Sequence, residues 1–112
     1  AVLRRAGGAQ QSRELEVADV RLDDEAHLVL KSGVPVHLSP TEYELLRLLM
    51  VNQGRVLSKA QILDRVWSRD FSGDGAVVET YIGYLRRKID TSEPKLIHTI
   101  RRVGYTMRVQ PG

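Results

Sequence analysis

The chain has 112 residues and no cysteine, and its 17 Lys and Arg against 14 Asp and Glu give a net charge of +3. That length fits one domain with its own core. The missing cysteines exclude a disulfide framework and thiolate chemistry, no apolar run reaches the ~20 residues of a membrane span, and nothing at the start reads as a signal peptide. The composition fits a reducing cytoplasm, which is the expected location.

Charge is unevenly placed. Residues 1–54 carry six basic against eight acidic side chains, net −2, whereas residues 55–112 carry eleven against six, net +5. A basic half implies a polyanionic partner, and composition alone leaves DNA, RNA and an anionic membrane open.

Residues 1–13, AVLRRAGGAQQSR, have no sustained apolar period and read as a linker. From Glu14 to Leu38 the pattern is strand-like: Leu15–Val17, Val20–Leu22, His27–Lys31 and Val34–Leu38, with Asp23-Asp24-Glu25 and Ser32-Gly33 as turns. The acidic triplet is expected to be a solvated turn, because no companion ligands lie at cation-binding spacing. Ser39-Pro40-Thr41-Glu42 opens a helix with a capping box and proline at its first position. Leu45, Leu46, Leu48, Leu49 and Met50 give that helix a broad apolar face, and Gly54 ends the segment. Ser58-Lys59-Ala60-Gln61 is a second capping box, starting a short helix with Ile62, Leu63, Val66 and Trp67 on its core side.

The stretch Gly75–Asp90, GAVVETYIGYLRRKID, has two faces. Val78, Ile82, Leu85 and Ile89 fall at i, i+4, i+7 and i+11, one apolar stripe of a helix. Opposite them stand Thr80, Gly83, Tyr84 and Arg87, with Val77 and Lys88 at the margin. An ordinary surface helix would show Glu and Lys there. A hydroxyl, an aromatic ring, a missing side chain and a cation suit a helix laid into a DNA groove. After the break at Thr91–Pro94, Leu96–Ile100 and Tyr105–Val109 read as two strands joined by Arg101-Arg102-Val103-Gly104, a hairpin with glycine at its turn. The predicted class is α+β, a winged helix-turn-helix with an N-terminal antiparallel sheet, three helices and a C-terminal β-hairpin wing, over residues 14–110.

Several ordered blocks carry a family resemblance: LSPTEYELL at 38–46, GRVLS at 54–58, DRVW at 64–67, Val78-Glu79, YLRRKI at 84–89 and IHTIRRVGY at 97–105. They resemble the OmpR/PhoB-type effector domain of bacterial response regulators, over about residues 14–110. The resemblance implies that the third helix enters the major groove and that the wing residue Arg101 reaches the adjacent minor groove. It implies an N-terminal receiver domain, phosphorylated by a sensor histidine kinase, with residues 1–13 as the linker from it. It also implies that the loop 68–75 meets RNA polymerase and that copies bind direct-repeat promoter sites. The family pattern is Arg-Gly-x-Gly-Tyr in the wing, and here Arg102 replaces the first of those glycines. Gly83 and Tyr84 replace arginines of some members, so base preference does not transfer.

The candidate DNA-binding residues are Val77, Thr80, Tyr84, Arg86, Arg87, Lys88, Thr99, Arg101, Arg102 and Tyr105. Thr80 and Tyr84 are expected at base edges, Val77 at a thymine methyl, and Arg87 at a guanine or a phosphate. Arg86 and Lys88 are expected at phosphates, which fix register without reading sequence. Arg101 suits the negative potential of a narrow minor groove, Arg102 adds a phosphate contact, and Thr99 and Tyr105 are hydroxyl donors to phosphate. Each has a plainer alternative: Tyr84 packing on its neighbouring helix, Arg87 complementing the helix dipole, Arg101 a solvated hairpin charge, Tyr105 a packed ring. With five or six phosphates neutralised, log affinity would fall with log salt at a slope of about −5. No cofactor or metal is expected, and His27, His37 and His98 lack partners at metal or triad spacing. No nucleophile–base set or paired carboxylates support an enzyme. A protein-binding winged helix remains the rival from another class, and RNA is disfavoured because no aromatic-studded sheet appears.

Overall fold

The computed structural model describes residues 14–67 and 75–109. The linker expected at 1–13 and nearly all of the loop 68–75 lie outside the described residues. Four strands, β1 (Glu14–Val17), β2 (Val20–Asp23), β3 (Leu28–Lys31) and β4 (Val34–Pro35), form an antiparallel sheet in sequence order. Period-two alternation sets its register: Val17 pairs with Val20 and Leu22 with Val29, all four buried, while Arg21 between them stays exposed. Strand β4 is shorter than the apolar pattern to Leu38 suggests. Pro35 has no N–H for the ladder; Val36 still donates to the Val29 carbonyl at 2.9 Å, and the chain then turns toward Ser39.

Helix α1 (Pro40–Val51) begins with the capping box its sequence announces. The Ser39 hydroxyl accepts from the Glu42 amide at 3.2 Å, and Glu42 Oε1 accepts from the Ser39 amide at 2.8 Å. Gly54, at φ +87°, follows its end and needs the freedom glycine has there. Helix α2 (Lys59–Ile62) carries the second capping box, between Ser58 and Gln61, and runs on through a π-helical turn at Leu63–Trp67. Ile62 is buried, whereas Leu63, Val66 and Trp67 lie partly buried against the core.

Helix α3 (Ala76–Ile89) buries all four residues of its stripe, Val78, Ile82, Leu85 and Ile89. Each such side chain contributes about 2 kcal/mol relative to exposure. The stripe meets α1, which also packs on β1 and on the C-terminal hairpin. That hairpin, β5 (Ile97–Ile100) and β6 (Gly104–Met107), gains a third edge from the segment before α2. Leu57 and Tyr105 exchange both backbone hydrogen bonds, at 2.8 and 2.9 Å, and Gly54 donates to the Met107 carbonyl.

Two local expectations change. The acidic triplet is not simply solvated: Asp24 accepts from the Tyr43 hydroxyl at 2.8 Å and from Arg47 Nε at 3.0 Å, tying the β2–β3 turn to α1. Hydrogen bonding from Tyr43 is the leading cause that holds the Asp24 carboxyl below its usual range, and burial with this bond raises the Tyr43 phenol well above its own. In the hairpin, the left-handed residue is Arg102, at φ +67°, and not glycine. Gly104 is required for a different reason: a Cβ there would sit 1.8 Å from the Leu57 carbonyl oxygen. The position is small because two backbones touch.

Candidate nucleic-acid interface

Helix α3 and the hairpin together border a groove of about 590 Å³, with Glu79, Ile82 and Arg86 on the helix side and residues 99–105 on the other. Lys59, at the start of α2, closes one side and forms an ion pair with Glu79. This pair was not foreseen from sequence. It sets a cation against the one carboxylate in the first turn of α3, so that Glu79 does not stand as an uncompensated negative charge on this face.

The helix and the hairpin are held by groups of opposite sign. Arg86 donates to Thr99 Oγ1 at 2.8 Å and to the Ile97 carbonyl at 3.3 Å. Asp90, 4% exposed, accepts from the Leu96 and Ile97 amides at 2.8 and 3.0 Å. A cation on a carbonyl and a carboxylate on two amides are charge-assisted bonds, stronger than neutral ones. They set the offset between α3 and the wing. Thr99 accepts from Arg86, so its own O–H remains a donor toward the exposed side.

The candidate residues divide into three groups. On the outer side of α3, Thr80, Tyr84 and Arg87 are exposed, and Gly83 lies between them with no side chain. The Thr80 hydroxyl donates back to the Ala76 carbonyl at 3.1 Å, leaving its lone pairs outward as acceptors. At the wing, Thr99, Arg101 and Arg102 are exposed, the last two at the hairpin turn. The third group is engaged with the fold. Val77 is partly buried against the core. Lys88 binds Glu42 Oε1 at 2.7 Å and the His37 carbonyl at 3.3 Å, and Arg86 is spent on β5. Tyr105 is 5% exposed on the groove floor, where burial, with Glu79 nearby, raises its phenol above the ordinary value.

Lys59 and Lys88 are exposed but paired with Glu79 and Glu42, so among the described residues of this face Arg87, Arg101 and Arg102 are the exposed cations that no carboxylate engages. Among the described residues no group of three or more His, Asp or Glu side chains converges as a metal site, and no helix is long and apolar enough to cross a membrane. Lys59 and Glu79 escaped the sequence reading because they pair across twenty positions, and Asp90 because its partners lie beyond the chain break, six and seven residues on. Only Asp90 left a local trace, an acid just past a helix end.

A sheet, three helices and a basic hairpin packed beside an exposed third helix define a winged-helix domain of the DNA-binding class. A family model described as "Transcriptional regulatory protein, C terminal" matches residues 33–107, and the chain belongs to that family, the OmpR/PhoB-type DNA-binding domains of transcriptional regulators. The chain is 52% identical over 110 residues to the probable transcriptional regulatory protein TcrX of Mycobacterium tuberculosis, covering 96% of this chain and 47% of that protein. It superimposes with a TM-score of 0.79 on the response regulator DrrB of Thermotoga maritima, an OmpR/PhoB homologue, at 27% identity over 96% of this chain and 51% of the other. The DNA-binding domain of CssR from Bacillus subtilis gives a TM-score of 0.68 and 33% identity, over 79% of this chain and 98% of that one. The chain spans about half the length of the curated relatives it matches.

Proposed function

We propose that this domain is the output module of a cytoplasmic two-component transcription regulator, binding double-stranded DNA by sequence. Helix α3 enters the major groove with Thr80, Tyr84 and Arg87 toward the bases, while Arg101 and Arg102 meet the adjacent minor groove and its phosphates. The observation that supports this most is the division of labour among the cations. Arg86 and Lys88 are bonded within the fold, whereas Arg87, Arg101 and Arg102 stand exposed on the reading helix and the wing. Around Thr80 and Gly83 the helix offers a shallow surface that lets the backbone approach base edges.

The finer partners belong to the same proposal. A receiver domain phosphorylated by a sensor histidine kinase would control pairing of two copies on direct repeats, and the loop 68–75 would meet RNA polymerase. The role is regulatory rather than catalytic. Selection from a random pool of duplexes tests the reading. Enrichment of a motif, two short repeats about one helical turn (~10 base pairs) apart, supports it. Recovery of unselected DNA contradicts it and favours a protein-binding winged helix.

A further inference from the structure

Arg87 differs from its two basic neighbours on α3. Arg86 and Lys88 have hydrogen-bond partners within the fold, whereas among the described residues Arg87 has none. Its guanidinium carbon instead lies 5.4 Å from the centre of the Tyr84 ring. That ring is met edge-on by Tyr81, at 5.1 Å between centres and 67° between planes. Tyr81 is met edge-on in turn by Trp67, at 5.3 Å and 74°. Trp67 and Tyr81 are partly buried against the core, while Tyr84 is 37% exposed. Three rings thus climb from the margin of the core to the outer face of α3 and end under a guanidinium.

Edge-to-face contact is a favoured arrangement of aromatic rings, and each ring here limits the tilt of the next. A guanidinium lying over an aromatic face uses that face alone. Its N–H donors point outward in the guanidinium plane and stay available. Two of them match O6 and N7 of guanine, the pair of acceptors that guanine shows in the major groove. Gly83 contributes a second observation. A Cβ built there would meet only Arg87 Nη1, at 3.9 Å, an ordinary contact, so the guanidinium lies beside the one position of this face that has no side chain. Glycine within a helix is unfavourable relative to alanine, and here it leaves the helix surface next to Arg87 low.

We propose that Arg87 is the specificity-determining residue for one guanine of the target site, and that Tyr84 is a positioning residue that holds it through its ring. The Tyr84 hydroxyl has no part in this. An unrestrained arginine samples many rotamers and serves as well at a phosphate as at a base. Fixing it over the ring removes part of the ordering cost of a bidentate contact. The proposal rests on α3 being the helix that reads the major groove.

The test starts from the duplex selected by the wild-type domain and a set in which each base pair is replaced in turn. Affinities are compared for wild type, Arg87→Ala, Tyr84→Phe, Tyr84→Ala and the double variant. Arg87→Ala is expected to lose preference at a single G·C pair, by about tenfold or more. Tyr84→Ala is expected to weaken preference at that same pair, Tyr84→Phe to keep it, and the double variant to be no worse than Arg87→Ala. Loss of affinity for every duplex alike on Arg87→Ala would place the guanidinium at a phosphate and overturn the guanine assignment. Relaxation on Tyr84→Ala confined to a different base pair, with the Arg87 pair still preferred, or loss of the preference at the Arg87 pair on Tyr84→Phe, would overturn the positioning role. A wild-type domain that selects no motif overturns the DNA reading as well; the other outcomes leave that reading standing.

Discussion

Lys88, near the C-terminus of α3, donates to Glu42 Oε1 at 2.7 Å, and the same carboxylate closes the capping box at the start of α1. Glu42 is 5% exposed. Burial raises the pKa of its carboxyl, but the hydrogen bond from Lys88, the Ser39 amide and the ammonium charge outweigh this and hold it below the ordinary 4.5. The pair joins α3 to the first helix of the core. Lys88→Met removes the cation and leaves a buried carboxylate with the Ser39 bond. Breaking a fully buried pair costs about 3–5 kcal/mol; Lys88 is partly solvated, so about 1–2 kcal/mol is expected, read as a melting temperature lower by about 5–10 °C. DNA affinity and its salt slope should hardly move while the variant is folded. A slope shallower by about one would assign Lys88 to a phosphate instead.

The pH dependence follows with a defined sign. Asp19, Asp24 and Glu42 all have folded-state pKa values below their ordinary values of 3.8, 3.8 and 4.5. The main causes are hydrogen bonding from Lys31 for Asp19, hydrogen bonding from Tyr43 for Asp24, and the balance just described for Glu42. Depressed pKa values contribute stability that is fully present above the unfolded values and is lost as pH falls through the folded ones. Urea unfolding should therefore show constant carboxylate contributions above about pH 5 and a steady loss below about 4.5. The difference between wild type and Lys88→Met should shrink over that same acid range. A difference that does not shrink as pH falls would contradict the Glu42 assignment.

Gly104→Ala tests the contact between two backbones. The new Cβ would lie 1.8 Å from the Leu57 carbonyl oxygen and 2.7 Å from its carbon, so the Leu57–Tyr105 bridge must open. Overpacking of this kind costs about 3 kcal/mol or more where backbone has to move. Urea unfolding should show that loss, with hydrogen-exchange protection falling first at Leu57 and Tyr105. A variant as stable as wild type would mean the segment before α2 is not seated on β6.

Arg102→Gly should separate stability from binding. A left-handed arginine costs about 1–2 kcal/mol, which glycine relieves, although glycine also gains freedom in the unfolded chain. Stability is expected to rise by up to about 1 kcal/mol while affinity for all duplexes falls and the salt slope becomes shallower by about one. With Arg86 and Lys88 bonded within the fold, the slope for a single domain should be about −3, from Arg87, Arg101 and Arg102. That is shallower than the −5 that counting cations in the sequence suggests.

What the sequence made legible were the features that lie within one element. The capping boxes at Ser39 and Ser58, the stripe from Val78 to Ile89 and the alternation in β2 need neighbours three or four residues away, or two, and all are present in the structure. The basic helix and wing, and the family blocks, pointed to one surface for the same reason. The fate of each cation was not legible. Arg86, Arg87 and Lys88 are consecutive and chemically alike, yet one faces β5, one an aromatic ring and one Glu42, because successive residues of a helix point about 100° apart. Gly104 was assigned to a turn because glycine is the usual turn residue; a contact with Leu57, forty-seven positions earlier, has no local signature.

The central claim is that α3 and the wing form the DNA-binding face, and amide chemical-shift mapping tests it most directly. The domain would be titrated with its selected duplex and the perturbed amides placed on the fold. The account predicts shifts concentrated at residues 77–87 of α3 and 99–103 of the wing, with β1–β4 unaffected. Shifts centred on the N-terminal sheet or on α1, with α3 silent, would contradict it.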